Sequence, residues 1–175
     1  MISLKSKNLK FKELNASDVN KNYVKWLNDK DINKFIIKTN IKHSIDSLKK
    51  YVKKNRYSKN NFLFGIFENK KNIHIGNIKL TISHPKEKIG NIGLLIGEKK
   101  FHNKGFGMEA INTITKFGQN KLKLIRIEAG FLDINKKSLH CFLKCGYVQD
   151  GHLKSYYLVD NKRVGRILVS IIKNG

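Results

Sequence analysis

The spacing of apolar and polar positions divides the chain into strands and helices before any motif is considered. Residues 9–13 (LKFKE) alternate strictly and predict a first strand. A helix follows, with Asn15, Ser17 and Asp18 as candidate caps and Val19, Tyr23, Trp26 and Leu27 on one face. The run 26–32 (WLNDKDI) bends into a second short helix that continues through Phe35. Ser44 caps a third, in which Ile45, Leu48, Tyr51 and Val52 share a face. Trp26 and Tyr51 read first as core residues. Strands return at 62–68 (FLFGIFE), 73–83 (IHIGNIKLTIS) and 89–96 (IGNIGLLI). The connections between them are short and polar, so the three form a meander, and Gly76 marks a candidate bulge. A helix over 105–122 carries Ala110, Ile111, Ile114 and Phe117 at helical spacing, and residues 124–131 (LIRIEAGF) predict another strand. Asn135 caps a last helix with Leu139, Phe142 and Leu143 on its apolar face and Gly146 just past its end. Strands 148–158 and 163–172 close as a hairpin around Asp160 and Asn161. The resulting order is β-α-α-β-β-β-α-β-α-β-β.

Composition narrows the setting. The 175 residues suffice for one domain with its own core and are too few for two, so residues 1–175 are read as a single domain. No run of about 18 apolar residues exists to span a membrane. The opening MISLKSKNLKF lacks the apolar centre of a signal peptide, and a cytoplasmic protein is expected. Cys141 and Cys145 fall four apart on one predicted helix, a spacing that suits neither a metal site nor a disulfide framework. They are expected to be reduced thiols, with no metal. Net charge is +23, from 36 basic and 13 acidic residues. The basic residues are nearly all Lys, the exceptions being Arg56, Arg126, Arg163 and Arg166, and they are spread along the chain rather than gathered in one arm. With the excess of Asn and Ile, this reads as compositional bias. Specific nucleic-acid binding is not expected from it.

Candidate chemistry concentrates in residues 89–110 (IGNIGLLIGEKKFHNKGFGMEA). A buried strand runs into a basic loop, then into Gly105, Phe106 and Gly107 at a helix start. Backbone N–H groups at a helix start have no intrahelical acceptor and carry partial positive charge, so this order makes a phosphate cradle. A Walker loop fails, because Gly107 is followed by Met108 and Glu109 rather than Lys and Ser or Thr. The dinucleotide pattern G-x-G-x-x-A is matched literally by residues 105–110, with Glu128 roughly 20 residues on, where that motif has an acid. That motif needs a tight turn from strand into glycine, whereas a polar loop, 98–104, intervenes here. It also needs more β-α units than follow.

The segment His102-Asn103-Lys104-Gly105-Phe106-Gly107 resembles the R/Q-x-x-G-x-G/A pyrophosphate loop of the GNAT acetyltransferases, with His102 departing at the first position. Other segments extend the likeness toward the RimJ/RimL-like branch. Trp26-Leu27-Asn28-Asp29 is similar to its W-L-N-D, and Asn135-Lys136-Lys137-Ser138 to its N-x-x-S. Residues 142–147 (FLKCGY) resemble Y/F-x-K-x-G-F, and Gly151-His152-Leu153-Lys154 resembles E-G-x-L-R. The last strand matches loosely, Gly165 preceding Arg166 where the family places Asp after Arg. The resemblance implies an α/β (α+β) domain with a mixed, mostly antiparallel sheet flanked by helices. It also implies acetyl transfer from acetyl-CoA to an amine.

On this resemblance, N–H groups from Asn103 to Met108, Gly105, Phe106 and Gly107 included, hold the pyrophosphate, with His102 and Lys104 adding side-chain donors. Backbone N–H groups of Leu95, Ile96 and Gly97 stabilise charge on the thioester oxygen. Asn135 caps its helix and touches the CoA arm. Phe142 stands where many relatives place a proton-donating Tyr; a phenyl ring cannot donate, which leaves Ser138 as the acid. Its other reading is a hydroxyl bonding locally at a helix start. Glu98 and Glu128 are candidate bases, or simply paired or solvated carboxylates, and Glu109 is read as satisfying first-turn donors. The acceptor cleft is implied at 23–38 and 155–163, with Trp26, Asn28, Phe35 and Tyr156 as substrate contacts. The expected acceptor is a small-molecule amine, first a nucleotide-linked amino sugar. A protein N-terminus, as in ribosomal-protein acetylation, is the alternative. A non-catalytic CoA- or RNA-binding module is the reading from another class, and a homodimer stays open.

Overall fold

The structure, a computed structural model, describes residues 2–36 and 41–173. Strand β1 (Ser3–Lys5) forms a small hairpin with β2 (Leu9–Glu13). Helices α1 (Lys21–Asn28), α2 (Lys30–Asn33) and α3 (Ile45–Arg56) follow. Then come β3 (Asn61–Glu68), β4 (Ile73–His84) and β5 (Ile89–Ile96), with α4 (Phe106–Asn120) after the loop. The chain closes with β6 (Arg126–Leu132), α5 (Lys136–Lys144), β7 (Val148–Val159) and β8 (Lys162–Ile172). All eight strands join one sheet in the order β1-β2-β3-β4-β5-β6-β8-β7. Every neighbouring pair is antiparallel except β5 with β6. This is the expected mixed, mostly antiparallel sheet. None of the described helices is long and apolar enough to cross a membrane.

The sheet separates two cores. On one face Leu9, Phe11, Phe64, Ile78, Leu80 and Ile92 pack with Ile111, Ile114 and Phe117 of α4 and Phe142 of α5. On the other, Leu14, Leu63 and Leu95 pack with Tyr23, Trp26, Ile32, Leu48 and Val52 of the first three helices. Burying these side chains is worth roughly 1.5–3 kcal/mol each, and both faces of the central strands are used this way. The period-2 alternation of β5 is visible in the result: Ile92, Leu94 and Ile96 face α4, while Leu95 and Gly97 face α1.

The structure departs from the sequence pattern in several places. Strand β1 is an addition, only three residues long and paired on one side. The first helix is two pieces, a 3-10 turn at Ala16–Asp18 and then α1, because Asn15 and Asn20 each accept their own helix-start N–H and Val19 between them is extended. Helix α2 stops at Asn33, before Phe35, and Tyr51 is 40% exposed rather than core. The bulge sits where Gly76 suggests: Ile66 pairs with Gly76 and Phe67 with His74, leaving Ile75 as the extra residue. At the β7–β8 turn Asp160 and Asn161 both take positive φ, 46° and 60°, as a two-residue hairpin with right-handed strand twist requires.

One buried hydrogen bond ties the layers across the first core. The Thr115 hydroxyl on α4 lies 2.7 Å from the Tyr147 hydroxyl, and burial pushes the Tyr147 phenol well above its ordinary pKa. Thr115→Val leaves that phenol without a partner and should cost about 1–3 kcal/mol. A melting curve should fall by about 2–4 °C per kcal/mol for a chain of this size. Tyr147→Phe should cost less, because the freed Thr115 hydroxyl can turn to its own helix carbonyls.

Candidate active site

The sheet opens at one place. Strand β5 pairs with β6 over only three residues, Ile89 to Arg126, Gly90 to Ile127 and Asn91 to Glu128. Beyond that β5 stays on β4 and β6 stays on β8, so the two diverge. The edge of β5 released into this gap follows from the ladder. Gly97 donates its N–H to Ile75 O at 2.9 Å, and Glu98 donates to the same bulged carbonyl. In an antiparallel ladder direction alternates, so Leu95 also turns its N–H to β4 while Leu94 and Ile96 turn theirs to the gap. Of the three N–H donors expected at this strand end, Leu95, Ile96 and Gly97, only Ile96 faces the gap. The other two serve the β4–β5 ladder. Gly97 is needed for packing instead, since a Cβ there would collide with the Trp26 indole.

Helix α4 starts beside this edge. Its first i to i−4 bond runs from Glu109 N to Gly105 O, so the N–H groups of Phe106, Gly107 and Met108 have no intrahelical acceptor. Gly105 caps the helix in the left-handed region at φ 81°, and Asn103 is left-handed at φ 58°. The His102 ring is not free to serve as a donor from Nε2. That nitrogen lies 2.8 Å from Ile96 O and must donate to it, since a carbonyl only accepts. His102 thereby ties the cradle loop to the end of β5. Glu109 does not serve the first turn either. Its carboxylate accepts from Ser6 Oγ and Asn8 N, both at 2.6 Å, and from Asn8 Nδ2 at 2.9 Å, fastening α4 to the β1–β2 turn. Burial raises its pKa, but these bonds outweigh burial and hold it below the ordinary carboxylate range.

The remaining candidates fall in three groups. Asn135 caps α5 by accepting from Ser138 N at 3.1 Å; the Ser138 hydroxyl makes no side-chain hydrogen bond among the described residues. Phe142 is 5% exposed, stacked on Phe131 and edge-on to Tyr147, so it belongs to the core. Glu98 accepts from Trp26 Nε1 at 3.1 Å, and Glu128 is paired with Arg126 at 2.7 Å. Two expected substrate contacts have structural partners: Trp26 is 3% exposed, and Asn28 clamps the backbone of His43 at 2.8 and 2.9 Å. Phe35 lies under the Lys34 ammonium in the turn after α2. Tyr156 is 51% exposed, with the Arg166 guanidinium 6.0 Å from its ring centre.

Further polar residues lie on the α1 face of the sheet. Three buried side-chain atoms there have no partner among the described residues: Asn77 Nδ2 on β4, and Arg166 Nε and Ser170 Oγ on β8. Register puts all three on this face, through Asn77 opposite Leu95, Ser170 opposite Glu128, and Glu128 beside Asn91. Arg166 lies across Gly130, where a Cβ would come within 2.8 Å of its Nε and Nη2. The signals for it in the sequence are the loose last-strand match at Gly165 and Arg166 and the rarity of Arg in a Lys-rich chain.

Known proteins share this fold. Residues 8–148 match the family model described as the acetyltransferase (GNAT) domain. The chain belongs to that family. The [ribosomal protein uS5]-alanine N-acetyltransferase of Escherichia coli (strain K12) is 26% identical over 112 residues, 63% of this chain and 57% of that protein. The chain thus matches little more than half the length of this curated relative. An acetyltransferase (GNAT family) from Bacillus anthracis superposes with a TM-score of 0.84 at 23% identity, covering 98% of both chains. The spermidine N-acetyltransferase of Vibrio cholerae, in complex with CoA and spermine, gives 0.85 at 19% identity, covering 94% of this chain and 95% of that one. At these identities the structures speak for a shared fold.

The Glu109 tether predicts a pH dependence. Its folded pKa is depressed, so its contribution is present above the unfolded value and is lost as pH falls through the folded value. In thermal melts across the acid range, Glu109→Gln should flatten that part of the stability profile; an unchanged profile would show that the tether adds nothing.

Proposed function

We propose that the protein is an acetyl-CoA-dependent N-acetyltransferase acting on a primary amine. The carrying observation is the released edge of β5 beside the start of α4, whose first-turn N–H groups no side chain caps. Gly107 supplies the fit test. A Cβ there would meet Cys141 Sγ at 3.5 Å and Leu94 Cδ2 at 3.6 Å, ordinary contact, so the protein itself does not require glycine. A phosphate approaching the backbone does. The N–H groups of Phe106, Gly107 and Met108 would hold the pyrophosphate, with the Asn103, Lys104 and Gly105 loop around it and the Lys104 ammonium adding charge. Acetyl-CoA, when bound, supplies the acetyl group as a thioester.

The chain's own groups divide the remaining work. Ile96 N–H is aimed at the gap and would stabilise negative charge developing on a carbonyl oxygen there. An alkylamine with a pKa of about 10 must lose a proton before it attacks. Glu98, at the end of β5, would take it; Glu128 is already engaged by Arg126. The Ser138 hydroxyl would give a proton to the departing sulfur and regain one from solvent. Asn135 holds the start of α5, and with it Ser138, in place.

The acceptor reading favoured by the comparisons is a polypeptide N-terminus, since the curated relatives in Escherichia coli and Shigella flexneri are named for that reaction. A nucleotide-linked amino sugar draws support only from the acceptor face itself, where Tyr156 and Arg166 offer an aromatic ring and a cation. A polycation such as spermidine suits a chain of net charge +23 poorly.

Acetyl-CoA should raise the melting temperature, as a ligand of the native state must, and NADH should not. Gly105→Val should remove that shift and cost about 1–2 kcal/mol, the penalty of a side chain in the left-handed region. Stabilisation by NADH alone would restore the dinucleotide reading. Ser138→Ala should lower kcat by about 10- to 10⁴-fold with little change in KM for acetyl-CoA. Near-normal kcat, with only a small drop in stability, would leave Ser138 as a structural residue.

A further inference from the structure

The acceptor face holds a cation that the fold does not use. Arg166 leaves β8 opposite Leu132 and crosses to β6, where its guanidinium lies over Gly130. The absent Cβ at 130 is what admits it. Gly130 is two residues past Glu128, the last position of β6 that pairs with β5, so the guanidinium lies along the β6 wall of the gap. Its outer neighbour is the exposed ring of Tyr156. Its Nε is buried without a hydrogen-bond partner, and no carboxylate pairs with it among the described residues.

Burying a guanidinium N–H without an acceptor is costly, and the usual remedy is a paired carboxylate or phosphate. The contrast with Arg126 is direct. On the same sheet face, Arg126 is satisfied by both Glu128 and Asp150. Arg is also the residue that recognises carboxylates and phosphates through two parallel hydrogen bonds, which a lysine cannot do.

We propose that Arg166 selects the acceptor by pairing with a carboxylate or phosphate carried near the reacting amine. The inference rests on the transferase reading. Gly130 provides the seat for the guanidinium and Tyr156 covers its outer side. The preferred acceptor is therefore an anionic primary amine rather than a neutral or polycationic one.

The test compares two matched pairs that differ only in the anion: Ala-Glu amide with Ala-Gln amide, and glucosamine 6-phosphate with glucosamine. The wild type should prefer the charged member of at least one pair, and which pair distinguishes carboxylate from phosphate. Arg166→Gln should reduce the charged-to-neutral ratio of kcat/KM by about 10- to 100-fold, the scale of a charge-assisted hydrogen bond. Arg166→Lys should restore part of it. Gly130→Ala, which keeps the arginine but fills its seat, should also reduce the ratio. No charged preference, or a preference that Arg166→Gln retains, overturns the proposal. Binding can be read without catalysis, because only four arginines are present. The Arg166 15Nε resonance should move with the favoured charged amine and not with its neutral twin; an unmoved resonance overturns the proposal by itself. CoA release from none of the four amines, with that resonance moving, would instead contradict the transferase reading.

Discussion

The functional geometry depends on the place where β5 and β6 stop pairing. Three parallel residue pairs hold the two halves of the sheet together, and each strand then follows its antiparallel neighbour. Their packing partners differ as well. Leu94 and Ile96 face the α4 side, whereas Phe131 of β6 stacks on Phe142 of α5. The bulge at Ile75 gives β4 a carbonyl that accepts from both Gly97 and Glu98, which keeps the end of β5 on β4. The gap is thus maintained from both sides, and the donors on its β5 edge are main-chain N–H groups. Such an edge offers donors whose direction is fixed before any ligand arrives, the property that electrostatic preorganisation requires.

Much of this is legible in the sequence, for physical reasons that differ between elements. Strand β5 is legible to the residue, because an apolar run bounded by a turn and a charged loop admits few alternatives. The start of α4 shows in its glycines, and the capped helix at Asn135 in a side chain that competes for helix-start N–H groups. The split of the first helix is not legible, because Asn15 and Asn20 are both good caps and spacing alone does not say that both act.

The side-chain roles are less legible than the main-chain ones. His102 reads as a phosphate donor by position, yet its ring secures Ile96 O. Asn28 and Trp26 read as substrate contacts through a motif, yet they hold His43 and Glu98. In each case a local sequence pattern identifies a residue near the site, while a partner distant in sequence decides what the side chain touches. Arg166 is the converse. Only a loose last-strand match at Gly165 and Arg166 marks it in sequence, and the cross-strand space left by Gly130 shows where its guanidinium lies. The charge of +23 is similarly uninformative in total; the arrangement of one Arg paired by two carboxylates and another paired by none among the described residues carries the chemical information.

The central claim is that the released edge of β5 and the start of α4 together bind the acyl donor. Residue-resolved amide hydrogen exchange, with and without acetyl-CoA, tests it most directly. The account predicts that acetyl-CoA slows exchange at Leu94 and Ile96 on β5 and at Phe106, Gly107 and Met108 on α4. Gly97, whose N–H already bonds Ile75 O, should be slow in both states. Protection confined to other elements, or fast exchange at Ile96 in the presence of saturating acetyl-CoA, would contradict it.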